Sequence, residues 1–229
     1  ILKQFIVHTN TLLKIKIFSQ ENKEYIQKCL DAMKTDVNET SVNETGIREK
    51  PDEFCNKKVP IRWMLIDDGW FPGKDMMVCG FSPDTKKFPN GFKPMIEDIK
   101  NKSDVKWLGV WHALIGYWSG IDPKTELAKQ EALYLYKTTK GFLISSPING
   151  SRFYYHWNEI LRKEGIDFLK VDGQSSCEVY FEGTLPIVDG ARCINRELEL
   201  GASLMNGIII NYMGMSMENV LGRPTSAMS

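Results

Sequence analysis

The sequence predicts an α/β fold whose strands run parallel and are joined by helical crossovers. The first sign is alternation. Four short apolar runs, IRWMLIDDGW (61 to 70), VKWLGVWHAL (105 to 114), IDFLKVDGQ (166 to 174) and GIIINYMGM (207 to 215), are separated by charge-rich segments with helical periodicity. Strands that alternate with helices pair in parallel, because each crossover returns the chain to the same end of the sheet. The second sign is a polarity within the runs, which open on apolar residues and close on polar or aromatic ones. In parallel α/β architectures ligands sit at the carboxyl ends of the strands, so these endings are the candidate site.

In chain order, residues 34 to 58 read as a long solvated loop plus an interrupted helix. A near-duplication, VNETS then VNETG, precedes Pro51, which lacks the N–H a helix interior requires. Strand 61 to 67 is followed by the helical segment FKPMIEDIKNK and by strand 105 to 111. Residues 116 to 150 form a longer connection than a strand-to-helix loop needs, and loops of that size often belong to binding sites. In SRFYYHWNEILRKEG, Phe153, Trp157, Ile160 and Leu161 recur at helical spacing and pack on the sheet, which leaves His156 at the surface or rim. Strand 166 to 172, helix RCINRELELGASLMNG and strand 207 to 212 complete the alternation, with methionines of the last run as adaptable core filler.

Composition narrows the function. The 229 residues are 42% hydrophobic and 25% charged, enough for one sizeable core. Lys plus Arg and Asp plus Glu both number 29, which recommends neither nucleic acid nor an anionic membrane as partner and favours a small uncharged one. No apolar run reaches the roughly 20 residues of a membrane span, and ILKQFIVHTNTLLKIKIF is too broken by polar groups for a signal-peptide core. Cys29, Cys55, Cys79, Cys177 and Cys193 are odd in number and lack a CxxC, which fits free thiols in the cytoplasm. On the same ground the Asn-x-Ser/Thr sites at Asn38, Asn43, Asn101 and Asn149 are expected to carry no glycan. His8, His112 and His156 show no metal-ligand spacing, and neither a phosphate loop nor a GxGxxG is present, so no metal and no cofactor is expected.

The strand endings carry the chemistry. In IDDGW, Asp67 and Asp68 leave an apolar strand just before Gly69 and Trp70; they either serve a ligand, a cation or a donor-rich pocket or end the strand as a solvated turn. In VWHALIGYWSG, Trp111 and His112 close a strand and Tyr117 and Trp118 follow. Such aromatics either pack the core or, interleaved with polar groups, suit the apolar face of a sugar ring. In FLKVD, Lys170 and Asp172 are two apart and share one strand face. A buried ion pair gains little net stability, whereas a neutral ligand with several hydroxyls would use both groups, with Asp172 as a nucleophile.

LIDDGW, GVWHALIGYWSG and FLKVDGQSS, in that order, resemble the motifs of the raffinose synthase, seed imbibition protein and alkaline α-galactosidase group, a branch of the clan that includes the melibiase-type α-galactosidases. The likeness covers residues 59 to 229. A weaker similarity, EYIQKCLDAMKTDVNE (24 to 39), falls on the family's first strand. There Gln27 and Lys28 replace the Gly and Trp of a Gly-Trp-Cys-x-Trp-Asp sequence, and one residue is missing before Asp31. The resemblance implies a (β/α)8 TIM-type barrel that cleaves or transfers α-linked galactose with retention. Asp172 would be the nucleophile. Lys170, Asp67 and Asp68 would hold galactose hydroxyls, Trp111 would line the pocket, and Trp70 and His112 would be further substrate-binding residues.

It also implies a domain organisation: residues 1 to 23 a linker or the tail of a preceding domain, and 24 to 229 an incomplete barrel. About six of its eight strands are expected, with a degraded first strand and an abbreviated sixth in TSAMS (225 to 229), ending before strands seven and eight. The family's acid/base is an Asp in an Arg-x-Ser-Asp-Asp-like motif at the end of the sixth strand, and is expected beyond residue 229. Two functions follow as expectations. One is a retaining hydrolase or galactosyl transferase acting on small neutral raffinose-type oligosaccharides. The other is a galactoside-binding remnant without chemistry. A third alternative is a barrel using a metal on another substrate.

Overall fold

The computed structural model describes residues 42 to 174, 177 to 205, 209 to 211 and 226 to 228. The described residues open with helix α1 (Glu44–Asn56), followed by β1 (Trp63–Ile66), a hairpin of β2 (Gly73–Lys74) and β3 (Met77–Val78), α2 (Lys93–Lys102) and β4 (Trp107–Ala113). A short helix α3 (Glu126–Gln130) and a second hairpin, β5 (Leu135–Lys137) with β6 (Leu143–Ser145), precede α4 (Ser151–Lys163) and β7 (Phe168–Asp172). The remaining elements are α5 (Cys177–Phe181), α6 (Ile187–Gly201), β8 (Ile209–Asn211) and β9 (Ser226–Met228).

Strands β1, β4, β7, β8 and β9 form one sheet in that order, and every pair in it is parallel. The alternation read from the sequence therefore gives the α/β architecture with a parallel sheet. The expected first-strand segment, 24 to 39, and the linker, 1 to 23, lie outside the described residues.

The sheet has two unlike faces because successive side chains of a strand point to opposite sides. On one face Met64, Ile66, Leu108, Val110, Leu169 and Val171 are buried and meet the helices. There α4 contributes Phe153, Tyr154, Trp157 and Leu161, a stripe at helical spacing, and α6 contributes Ile194 and Leu198. The two helices approach closely at Gly201, where a Cβ would collide with the Tyr154 side chain. On the other face lie Trp63, Leu65, Asp67, Trp111, Ala113, Phe168, Lys170 and Asp172. Gly109 pairs with Phe168 across β4 and β7, and any side chain at 109 would run into the Phe168 ring.

Helix termini are satisfied from a distance. The Glu164 carboxylate, beyond the end of α4, accepts from the backbone N–H groups of Phe92 (2.6 Å) and Lys93 (3.2 Å) at the start of α2. Buried Glu197 of α6 accepts from Ser151 N–H, the first residue of α4, at 3.0 Å. Each carboxylate serves donors that a helix start leaves unpaired.

One expectation is corrected. Residues 44 to 56 form a continuous helix rather than an interrupted one, with Pro51 inside it and buried. The helix starts well because Asn43 is its N-cap and accepts from Gly46 N–H at 2.9 Å. Ion pairs from Arg48 to Glu44 and to Asp98 of α2, and from Lys50 and Lys57 to Glu53, brace it on both sides of the proline. The connection 116 to 150, expected as a long loop, holds α3 and the β5–β6 hairpin. No helix of the described residues is long and apolar enough to cross a membrane.

Candidate active site

The register of the sheet assembles the polar strand endings. Ile66 pairs with Val110, so Asp67, one residue on, is level with Trp111, which itself pairs with Lys170; Ala113 pairs with Asp172 one step nearer the carboxyl end. Asp67, Trp111 and Lys170 thus form a row across three strands on one face, with Asp172 above it.

Side-chain contacts join the row. The Lys170 ammonium donates to Asp67 Oδ2 at 2.8 Å, reaching across β4, and both groups are largely withdrawn from solvent. Such a charge-assisted bond fixes the direction of both side chains. Asp67 Oδ1 accepts from the Asp68 N–H at 2.9 Å. Asp172, 6% exposed, is held in the same manner: Oδ1 accepts from Gly173 N–H at 2.6 Å and Oδ2 from the Trp111 indole N–H at 3.1 Å. Asp68 Oδ2 accepts from the indole N–H of Trp118 at 3.2 Å. Trp111 and Trp118 lie with ring centroids 5.3 Å apart, tilted by 49°.

Two glycines make these endings possible. Gly69 follows the Asp pair with φ +99°, and Gly173 follows Asp172 with φ +71°, a left-handed backbone that a side chain would strain. Lys87 donates to the Gly69 carbonyl at 2.6 Å and so anchors the first turn. Nothing in the local sequence around Lys87 signals this; it emerges only when residues 18 apart meet in the fold.

The structure thus brings together Asp67, Asp68, Lys170, Asp172 and Trp111. The Trp70 and His112 side chains lie on the helix side of the sheet, away from these carboxylates. Trp70 is fully buried among Phe71, Phe92 and Trp157, and donates its indole N–H to the Trp111 carbonyl at 2.7 Å. It supports the backbone of the site residue from the helix side. His112 points opposite to Trp111 and stacks on Trp157 at 4.7 Å and 26°. Its Nδ1 donates to the Ala113 carbonyl at 2.8 Å, and Nε2 is buried with no hydrogen-bond partner among the described residues. Burial holds its pKa down to about 4. His156 of α4, read as a rim group, donates from Nδ1 to the buried Glu131 carboxylate, just after α3, at 3.0 Å.

Comparisons with known proteins agree with the architecture. Galactinol-sucrose galactosyltransferases of Arabidopsis thaliana are similar: the one named "Probable galactinol-sucrose galactosyltransferase 6" is 27% identical over 179 residues, 61% of this chain and 23% of its own length. The one numbered 1 is 28% identical over 137 residues, 50% of this chain and 18% of its own. The chain spans about a quarter or less of these relatives. Among solved structures, an alpha-galactosidase from Thermus thermophilus in complex with stachyose shares the fold with a TM-score of 0.53 at 16% identity, over 79% of this chain and 39% of that one. A β-L-arabinopyranosidase from Geobacillus stearothermophilus, in complex with arabinose, does so with a TM-score of 0.52 at 13% identity, over 78% and 47%. At such identities the likeness is one of fold. The model of the family described as raffinose synthase or seed imbibition protein Sip1 matches residues 80–206, more than half of the sequence, and the chain belongs to that family.

Proposed function

We propose that this chain is the nucleophile-bearing part of a (β/α)8 enzyme that cleaves or transfers α-linked galactose with retention of configuration. Asp172 is the nucleophile; Asp67, Asp68 and Lys170 bind hydroxyls of the sugar, and Trp111 lines its pocket and orients Asp172. The observation that carries this reading is the row described above, in which one carboxylate stands next to a buried Lys–Asp pair on a single sheet face, above strand positions without a polar side chain, Leu65, Gly109 and Phe168. The relatives' names point to the same substrate class.

In the first step an Asp172 carboxylate oxygen forms a bond to the anomeric carbon while the bond to the leaving oxygen breaks. That oxygen takes a proton from a second carboxyl about 5 to 5.5 Å away. In the second step water or a sugar hydroxyl gives its proton back to that carboxyl and displaces Asp172, so two inversions produce net retention. By the family resemblance, the second carboxyl is an Asp of an Arg-x-Ser-Asp-Asp-like motif at the end of the sixth strand. Trp111 and Gly173 leave Asp172 little freedom to rotate, so the oxygen facing the sugar is set before substrate arrives.

A fluorinated α-galactosyl fluoride tests the assignment, since fluoride departs without protonation. The expected result is a covalent galactosyl ester located by mass spectrometry on the peptide containing Asp172 and absent in Asp172→Asn. No adduct, or an adduct that persists in Asp172→Asn, rejects the reading. In a protein that carries that motif, Asp172→Asn is expected to lower turnover of an aryl α-galactoside by about 10⁴-fold or more.

A further inference from the structure

We infer that Trp118 is the platform for the saccharide unit on the leaving side of the bond that Asp172 attacks, and hence a determinant of which sugars the site accepts. This rests on the α-galactoside reading above and adds a residue and a subsite to it. Trp118 is unlike the other tryptophans of the region: Trp70, Trp111 and Trp157 are buried, whereas Trp118 is 41% exposed. It is nonetheless fixed at both ends. Its indole N–H reaches Asp68 at the end of β1, and its six-membered ring lies against Gly173, with Cζ3 3.6 Å from where a Cβ of that residue would be. The ring therefore arches from the carboxylates that hold the sugar to the residue immediately after the nucleophile, with Trp111 beneath it.

That position has a consequence for a bound oligosaccharide. Lys170 and Asp67 lie in the row below, and Asp172 lies two residues nearer the carboxyl ends of the strands, where ligands of a parallel α/β sheet enter, so a galactose held by the Lys–Asp pair has its glycosidic bond directed outward past Asp172. The next unit then meets the half-exposed face of Trp118. An apolar sugar face against an indole contributes through its area and through the polarity of its C–H groups, and a rigid ring loses little entropy in doing so.

The experiment measures binding by titration calorimetry to the full chain, with galactose and with an α-galactosyl sucrose trisaccharide as probes. The trisaccharide is expected to bind more tightly than galactose. Trp118→Ala is expected to weaken it about tenfold while galactose weakens by about twofold or less, and Trp118→Phe, which keeps an aromatic face, is expected to recover most of the loss. If the alanine variant does not fold, Trp118→Leu against Trp118→Phe reads the same quantity. Equal losses for both sugars would mean that Trp118 acts only by holding Asp68, and would overturn the inference, as would no loss for either. A wild-type chain that binds galactose, but the trisaccharide no better, removes the platform and leaves the galactoside site standing. A wild-type chain that binds neither removes both.

Discussion

Trp111 and His112 are neighbours on one strand and end in opposite environments. Trp111 faces the carboxylates and donates to Asp172; His112 faces the helices and is stacked on Trp157, its outer nitrogen without a partner among the described residues. Both side chains are fully buried, so burial does not distinguish them. Parity does. A polar residue at the end of a strand belongs to the site only if it shares a face with the rest of the site, and on the other face the same chemistry becomes a packing group.

The contrast can be broken most severely at Lys170. Lys170→Met leaves Asp67 in a largely buried place without its cation, and a loss of about 3–5 kcal/mol in urea unfolding is expected. Adding Asp67→Asn should restore part of that loss while sugar binding stays absent. If Lys170→Met were as stable as the parent, the pair would not organise this face.

The helix face yields a pH test. His112 titrates at about 4 in the fold against an ordinary 6.5, so the unfolded chain binds the extra proton first as pH falls. Its contribution is complete above pH 6.5 and is lost as pH drops from there towards 4, up to about 3 kcal/mol. His112→Phe, which keeps the stacking on Trp157, should flatten that part of the stability profile. An unchanged slope would mean that His112 is hydrated.

A smaller effect is expected beneath the site. Gly109→Ala forces the Phe168 ring away from the floor under Lys170 and should cost about 1–3 kcal/mol, read as a lowered melting temperature. A neutral substitution would show that the floor yields.

Much of this was legible because strands obey a period of two. The spacing of Lys170 and Asp172 puts them together, and the order of apolar runs and charged helices gives a parallel sheet without further information. The same period, applied to adjacent Trp111 and His112, separates them. Trp70 was less accessible: it lies past Gly69, whose positive φ turns the chain, so strand parity no longer says where the next side chain goes. Helix α1 was masked by Pro51, since the cap at Asn43 and the partner Asp98 that sustain it are respectively local and 50 residues from Arg48. Lys87 is a purely tertiary contribution of the same kind.

The loops that follow β1 and β4 are stitched to each other. Val78 N–H donates to the Gly120 carbonyl at 2.9 Å, Ser119 N–H to Met76 at 2.7 Å, Asp122 N–H to Val78 at 3.0 Å, and Ile121 N–H to Leu143 at 2.9 Å. The small β2–β3 ribbon is thus a lever attached to the segment carrying Trp118. Changes at its tip, where Asp75 and Met76 take positive φ, are passed through these hydrogen bonds to the segment that positions the Trp118 indole. On the proposed reading, the sugar met by Trp118 therefore depends on residues of the β2–β3 tip as well as on the residues of the site itself.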